Sequence, residues 1–315
     1  MPTTQPPKVI FGSNPFFGGD RDTHEKWLDF LQENGIETID TAQVYAESEV
    51  NLGNINAPSR FTVDTKAAAG FGKPATKDVI LKSGHESLKK LNTQSVDIYY
   101  LHTPDRRVSL EETLEGVNEL YKEGAFKRFG ISNFLAHEIE EVVRITKERG
   151  WVRPSVYQGN YSAIARRTET EILPVLRKHR IIFYAYSPIA GGFLAKTKET
   201  LTSTQRWDPE SALGKLYIAL YHRPSYLKAL NTWGQIAKDE RISQSELAYR
   251  WAVHNSSLRG DLGDAIIIGA SKIDHFRETL NWIKKGPLSS DTAKRIDEIW
   301  ESIKDEAPLN NAGDL

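Results

Sequence analysis

Short runs of β-branched and aromatic residues alternate with longer amphipathic stretches along almost the whole chain. An apolar run at 9–11 is closed by Gly12, and runs at 37–40, 61–66, 96–102, 126–132, 155–158, 181–187 and 265–269 repeat the theme, which predicts eight strands. Between them the apolar residues return at helical spacing, as with Trp27, Phe30 and Leu31 within 23–34 and Ile80, Leu88 and Leu91 within 76–91. The same spacing predicts helices over 109–122, 135–149, 169–179, 226–238, 244–253 and 274–284. Thr76 stands where an N-cap belongs, and Ser109 with Glu112 forms a capping box. Strands that alternate with helices pair in parallel. Eight such units close into a (β/α)8 TIM barrel in preference to an open doubly wound sheet. The long insertion from 190 to 264, between the seventh and eighth strands, must hold extra structure. Its first part, 191–211, has no clear period and reads as a long loop, and long loops in compact domains tend to carry function. No internal repeat beyond the β/α unit and no low-complexity linker occurs, so 1–315 reads as one domain with a Pro- and Thr-rich tail over 1–8.

Composition narrows the class. A chain of 315 residues suits one large α/β barrel, which commonly takes about 250 residues or more. Lys and Arg number 41 against 42 Asp and Glu, so no electrostatic footprint for nucleic acid exists. No apolar run approaches the roughly 20 residues that a membrane span needs, and the N-terminus lacks the apolar core of a signal peptide. The absence of cysteine excludes a disulfide scaffold, a thiolate metal site and a cysteine nucleophile, and it fits a reducing compartment. The histidines show no His-x-His or His-Glu-x-x-His pair, so no metal is expected. The expectation is a soluble, cytoplasmic protein that acts on a small molecule, with neither nucleic acid nor membrane as partner.

In such a barrel the active site lies at the C-terminal ends of the strands. The polar residues that end the predicted strands are Asp40, Lys66, His102, Ser132 with Asn133, Gln158 and Ser187, and Tyr45 lies five residues beyond Asp40. Singly, each has a bland reading: a helix cap, a solvated charge, a rim aromatic, a structural histidine. Together they form a coherent reaction centre. An ammonium beside a tyrosine stabilises the phenolate and lowers a pKa that starts near 10. A carboxylate beside the lysine keeps it charged, and a neutral imidazole can donate to a carbonyl oxygen. This supplies a proton donor and an oxyanion site for carbonyl reduction.

Asp40-Thr-Ala-x-x-Tyr45, Thr65-Lys66 and Leu101-His102 resemble the catalytic tetrad of the aldo-keto reductases. Gly130-Ile-Ser-Asn133, Tyr157-Gln158 and Ala185-Tyr-Ser-Pro188 are similar to that family's nicotinamide-side motifs, and the resemblance runs from Phe11 to about Pro287. Asp64-Thr-Lys66, Leu101-His-Thr-Pro-Asp105, Val156-Tyr-Gln-Gly159 and Ala190-Gly-Gly192 further resemble the aflatoxin-aldehyde reductase branch, which reduces reactive aldehydes and dialdehydes with NADPH. The resemblance implies Tyr45 as general acid, Lys66 as the group that lowers its pKa, Asp40 as partner of Lys66, and His102 as the group that orients the carbonyl. It implies NADP(H) as cofactor, with Ser132, Asn133 and Gln158 on the carboxamide and Tyr186 stacked on the nicotinamide. Ser187, Pro188, Ile189 and Gly191 would wrap the pyrophosphate, with Lys196 and Arg206 on phosphate oxygens.

The adenosine end departs from the family. In Gly269-Ala-Ser-Lys-Ile-Asp-His275-Phe-Arg-Glu-Thr279, His275 takes the family's basic or amide position and Thr279 its Asn position, while Ser271 and Lys272 still suit a 2′-phosphate at a helix N-terminus. The C-terminal stretch 310–315 ends acidic and small where the branch carries a basic residue, so recognition of a substrate carboxylate does not carry over. Phe16 or Phe17 would line the substrate pocket unless they pack into the core. Trp207, Tyr217 and Tyr221 would form an apolar lid unless they pack within their own loop. Gly70-Phe-Gly-Lys-Pro reads as a rim loop able to shape the mouth and not as a phosphate loop. The branch implies a homodimer. Two other readings remain open: a cofactor-binding regulatory subunit with little turnover, and a barrel enzyme in which Lys66 forms a Schiff base.

Overall fold

The computed structural model describes residues 5–201 and 205–311. Eight strands form a closed parallel barrel in chain order: β1 (Lys8–Gly12), β2 (Thr38–Asp40), β3 (Thr62–Lys66), β4 (Val96–Leu101), β5 (Phe126–Ser132), β6 (Pro154–Asn160), β7 (Ile182–Tyr186) and β8 (Ala265–Gly269). The stretch 1–8 is thus not all tail, because Lys8 opens β1 opposite Ala265; residues 1–4 lie outside the described residues. Side chains alternate between two apolar layers, as the period of two along a strand requires. Ile10, Ile98, Tyr100, Val156, Tyr184, Ala265 and Ile267 fill the barrel, while Phe11, Phe129, Ile131, Phe183, Ile266 and Ile268 pack outward against the helices. Gly130 makes room for this interior. A β-carbon there would stand 2.3 Å from the Tyr100 ring, at the point where the β5–β6 register shifts.

Helices α1 (Arg21–Glu33), α2 (Ser48–Asn54), α3 (Lys77–Leu91), α4 (Leu110–Lys122) and α5 (Ala136–Arg149) cover the first five units. The Thr76 hydroxyl caps α3 by accepting from the Val79 amide, and the Ser109 hydroxyl caps α4 by accepting from Glu112. The single helix expected over 169–179 is two, α6 (Thr168–Glu171) and α7 (Leu173–His179), because Pro174 sits in the first turn of the second. Between β7 and β8 lie α8 (Ala212–Tyr221), α9 (Pro224–Asp239) and α10 (Gln244–Arg250), and α11 (Ile273–Lys284) and α12 (Ser290–Ile303) follow β8. The unpatterned stretch 191–211 holds short 3-10 turns among its described residues and leads into α8. No helix among the described residues is long and apolar enough to cross a membrane.

Candidate active site

Parallel register brings the strand-end residues together. Asp40 ends β2 opposite Gly12 and Asp64, and Lys66 ends β3 opposite Tyr100. The Lys66 ammonium donates to Asp40 Oδ2 at 2.6 Å and to the Thr41 carbonyl at 2.7 Å. Gln158 Nε2 donates to the other carboxylate oxygen of Asp40 at 2.8 Å. Asp40 therefore receives a charged and a neutral donor, which is how a buried carboxylate is kept satisfied. Lys66 is fully buried, and burial pulls its pKa down, but Asp40 and the neighbouring Tyr45 outweigh that and hold it above its ordinary value. A buried, charged and doubly bonded ammonium offers no free amine, which weighs against a Schiff base.

Tyr45 hangs on a turn that is fastened at both ends. Its amide donates to Ala42 O at 3.0 Å, the Ser48 amide donates to Tyr45 O at 2.9 Å, and the Gln43 amide donates to Lys66 O at 3.1 Å. The Thr41 and Ser48 hydroxyls, 2.8 Å apart, close the turn from beneath. The Lys66 ammonium stands 5.0 Å from the centre of the Tyr45 ring. The rings of Tyr45 and His102 meet edge-on at 5.6 Å. Burial pushes the phenol up and the Lys66 ammonium pulls it back, with a net rise. Lys66 thus lowers the phenol as the sequence led one to expect, but desolvation exceeds that pull, and the hydroxyl keeps its proton at neutral pH. Burial, then Lys66, drives the His102 imidazole well below its usual pKa, so it is neutral. Its Nδ1 is buried with no hydrogen-bond partner among the described residues.

A cleft of about 440 Å³ opens from this cluster along the strand ends toward β8. Ser132, Asn133 and Gln158 line it, as do the turn from Tyr186 to Ile189, Gly191, and Gly12 to Asn14 beside Gly269. Asn133 Nδ2 donates to His102 O at 2.9 Å and to Ser132 Oγ at 3.1 Å, and its Oδ1 accepts from the Tyr186 hydroxyl at 2.7 Å. This fixes the Tyr186 ring against the cleft wall. Ser187 and Ala190 both take positive φ, a conformation that L-residues adopt at a cost and that accumulates in ligand-holding loops. Ser13 Oγ, on the opposite wall, is 2% exposed and lacks a partner among the described residues. An elongated cleft with amides and hydroxyls at one end, a strained turn along its side and an unsatisfied hydroxyl opposite fits a nicotinamide dinucleotide.

Residues 8–301 match the Aldo/keto reductase family. The chain belongs to that family. It is 38% identical over 96% of both chains to the oxidoreductase sirO of Leptosphaeria maculans. It is 34% identical to human aldo-keto reductase family 7 member A3, and 32% identical to human aflatoxin B1 aldehyde reductase member 4, over 88% of each chain in both cases. As an oxidoreductase of the aldo/keto reductase family, it sits among proteins that use nicotinamide cofactors.

Within this reductase, Asp40, Tyr45, His102, Ser132, Asn133, Gln158, Tyr186, Ser187, Pro188, Ile189, Gly191, Arg206 and Gly269 all line the one cleft, with Lys66 buried beneath it. The substrate-side expectations are corrected. Phe16 is fully buried against Phe11 and His24, while Phe17 faces the cleft. Trp207 and Tyr221 are fully buried and do not line the cleft; the Trp207 indole donates to Gly191 O at 3.1 Å and both rings stack behind Tyr217. Tyr217 alone of the three forms the wall. Thr279 is buried, and its hydroxyl donates to His275 O at 2.9 Å inside its own helix. Lys196, Ser271, Lys272 and His275 stand outside the cleft lining, the last three exposed at the start of α11 just beyond Gly269. Of the C-terminal stretch, 312–315 lie outside the described residues, but Asn311 reaches the cleft, its amide donating to the Tyr186 hydroxyl at 3.3 Å. Ser13, Asn14, Val44, Leu213, Leu216 and Tyr249 also line the cleft and carried no signal in the sequence. Phe71 lines it from the loop that the sequence placed at the rim.

Proposed function

We propose that this reductase converts an aldehyde or ketone to the alcohol with NADP(H), Tyr45 acting as general acid. The observation that carries the reading is a tyrosine held between a buried Lys66–Asp40 ion pair and a neutral imidazole in one cleft of about 440 Å³. Ser132, Asn133 and Gln158 would hold the carboxamide end of the cofactor, Tyr186 its ring and the Ser187–Gly191 turn its pyrophosphate. When bound, the cofactor supplies the hydride that reaches the carbonyl carbon. Tyr45 gives its hydroxyl proton to the carbonyl oxygen, so the C=O bond becomes CH–OH and a phenolate remains on the protein. Lys66 compensates that phenolate at short range in a site shielded from water, and Asp40 keeps Lys66 charged throughout. His102, neutral and lining the cleft, orients the oxygen. Gln158, by holding the second oxygen of Asp40, fixes the carboxylate toward Lys66.

Arg206 on the cleft and Lys272 beside α11 support NADPH over NADH, since each offers a cation toward the adenosine end. Two measurements test the proposal. Quenching of tryptophan fluorescence is expected to show tighter binding of NADPH than of NADH, with Lys272→Ala removing part of the preference. Tyr45→Phe is expected to bind NADPH like the native chain and to lose carbonyl reduction by about 10²-fold or more. Full turnover in Tyr45→Phe would remove the assigned acid.

A further inference from the structure

Six large apolar side chains among the described residues are more than a third exposed, and four of them, Phe17, Val44, Phe71 and Leu213, gather at the mouth of this one cleft. They arrive from loops after β1, β2 and β3 and from α8, so no local sequence pattern joins them. Phe17 stands 5.4 Å from the Tyr45 ring and Phe71 stands 4.7 Å from the His102 ring, one on each side of the reacting pair. Leu216 and Tyr217 on α8 complete the wall. Tyr217 is braced by Trp207 at 5.6 Å, nearly parallel, and its ring occupies the space that a side chain at Gly191 would take. The charges around the cleft are distributed just as unevenly. Arg206 is the one Lys or Arg among the described lining residues, and it is turned toward Asn14 on the nucleotide side, donating to Oδ1 at 3.5 Å. Lys66 is committed to Asp40, His102 is neutral, and Asp40 adds a negative charge beneath the cleft.

Exposed apolar groups clustered at a reaction centre mark the body of the molecule that covers them. A carboxylate drawn into the same space would lose water, meet no cation and approach Asp40. Resting on the reductase reading above, we infer that the substrate is an uncharged aldehyde or ketone on an aromatic or comparably bulky apolar body, and that carboxylate-bearing aldehydes are discriminated against. The apolar body gains by leaving water, whereas an unpaired carboxylate is penalised for leaving it.

The test uses two aldehydes that share ring, position and an electron-withdrawing substituent: methyl 4-formylbenzoate and 4-formylbenzoate. With the full chain and NADPH, kcat/KM for the ester is expected to exceed that for the acid by about tenfold or more, the effect of one unpaired partly desolvated charge. A smaller ratio overturns the inference. Leu213→Arg, a change at an exposed position, places a guanidinium at the mouth and is expected to raise kcat/KM for the acid and narrow the ratio; an acid that stays as poor as before also overturns it. Quenching of tryptophan fluorescence without cofactor separates this inference from the reaction. If the ester saturates the signal at concentrations where the acid does not, yet neither consumes NADPH, the reductase reading fails and the substrate class survives. If NADPH is consumed equally with both, the reductase reading stands and the substrate class falls.

Discussion

Replacing Asp40 by Asn removes one charge from the best-buried ion pair among the described residues. The side chains of Lys66 and Asp40 are 0% and 5% exposed, and the N···O distance is 2.6 Å. Coulomb's law at an effective dielectric of about 20 gives roughly 6 kcal/mol of attraction at that separation. The observed cost of breaking a buried pair from one side is smaller, roughly 3–5 kcal/mol. The amide cannot reproduce the contacts either: Lys66 and Gln158 both donate to Asp40, one to each oxygen, and Asn offers one acceptor and one donor. One of the two donors loses its partner whichever way the amide turns. At about 2.1 cal/mol/K per residue of unfolding entropy over 315 residues, the loss lowers Tm by roughly 5–8 °C. The pH dependence is the sharper test. Asp40 is the largest influence that raises Lys66; without it burial is expected to prevail and to carry the ammonium below its ordinary value. The unfolded chain then binds more protons than the folded one over the window up to about pH 10.4, so stability of the variant rises with pH there. The native chain, whose Lys66 is raised, keeps its full contribution through the same window. The difference in free energy of unfolding between Asp40→Asn and the native chain, from urea titrations at pH 7 and pH 9.5, is therefore expected to shrink at the higher pH. A difference below about 1 kcal/mol at pH 7, or one independent of pH, would refute a charged and buried pair.

Three further expectations follow from the same geometry. Gly130→Ala puts a methyl group into the Tyr100 ring inside the barrel and is expected to cost about 1–3 kcal/mol in thermal unfolding, with no loss if the ring can move aside. Asp64 is wholly buried, accepts from the Ile98 amide at 3.2 Å through one oxygen and has no partner among the described residues on the other; burial, then the charges of Asp40 and Asp97, push its pKa well above the usual range. The folded state then holds a proton that the unfolded chain gives up above about pH 4, so native stability falls as pH rises through that window. Asp64→Asn does not titrate, and its stability relative to the native chain is expected to grow between pH 4.5 and pH 7.5 in denaturant titrations; a constant difference would show an ionised carboxylate. His102 is neutral, so kcat/KM for carbonyl reduction is expected to show no inflection between about pH 6 and 8 assignable to an imidazole, and loss of such an inflection in His102→Gln would refute its neutrality.

Most features with a local period were legible in the sequence, although α12, whose Ile296, Ile299 and Ile303 recur at helical spacing, was not among the predicted helices. The alternation of Ile266, Ile267 and Ile268 across the sheet reveals a strand whatever the strand packs against, and the spacing of Ile80, Leu88 and Leu91 does the same for α3. Helix α2 escaped, since Ser48, Glu49, Leu52 and Gly53 form its buried face and three of those four are polar or lack a side chain. One oxygen of its buried Glu49 accepts from the Thr65 hydroxyl at 2.6 Å, a contact made by the fold and not by spacing along the chain. Helix α8 escaped because both of its faces are largely apolar.

The sequence by itself determined eight β/α units and therefore which residues end the strands, and a parallel barrel brings all strand ends to one rim. Asp40, Lys66, His102, Ser132 and Gln158 had no other place to meet. Which aromatic faces the cleft was decided only by the tertiary structure. Phe16 and Phe17 are neighbours of one type, and a single 3-10 turn over Asn14–Phe17 buries the first and exposes the second to 37%. Trp207, Tyr217 and Tyr221 share one segment, and the packing of α8 against Gly191 selects Tyr217. The direction of the Tyr45 shift likewise depends on how much water the folded loops exclude, which no spacing of residues encodes. Periodicity is a property of neighbours along the chain, whereas orientation and desolvation are set by residues that meet only after the barrel has closed.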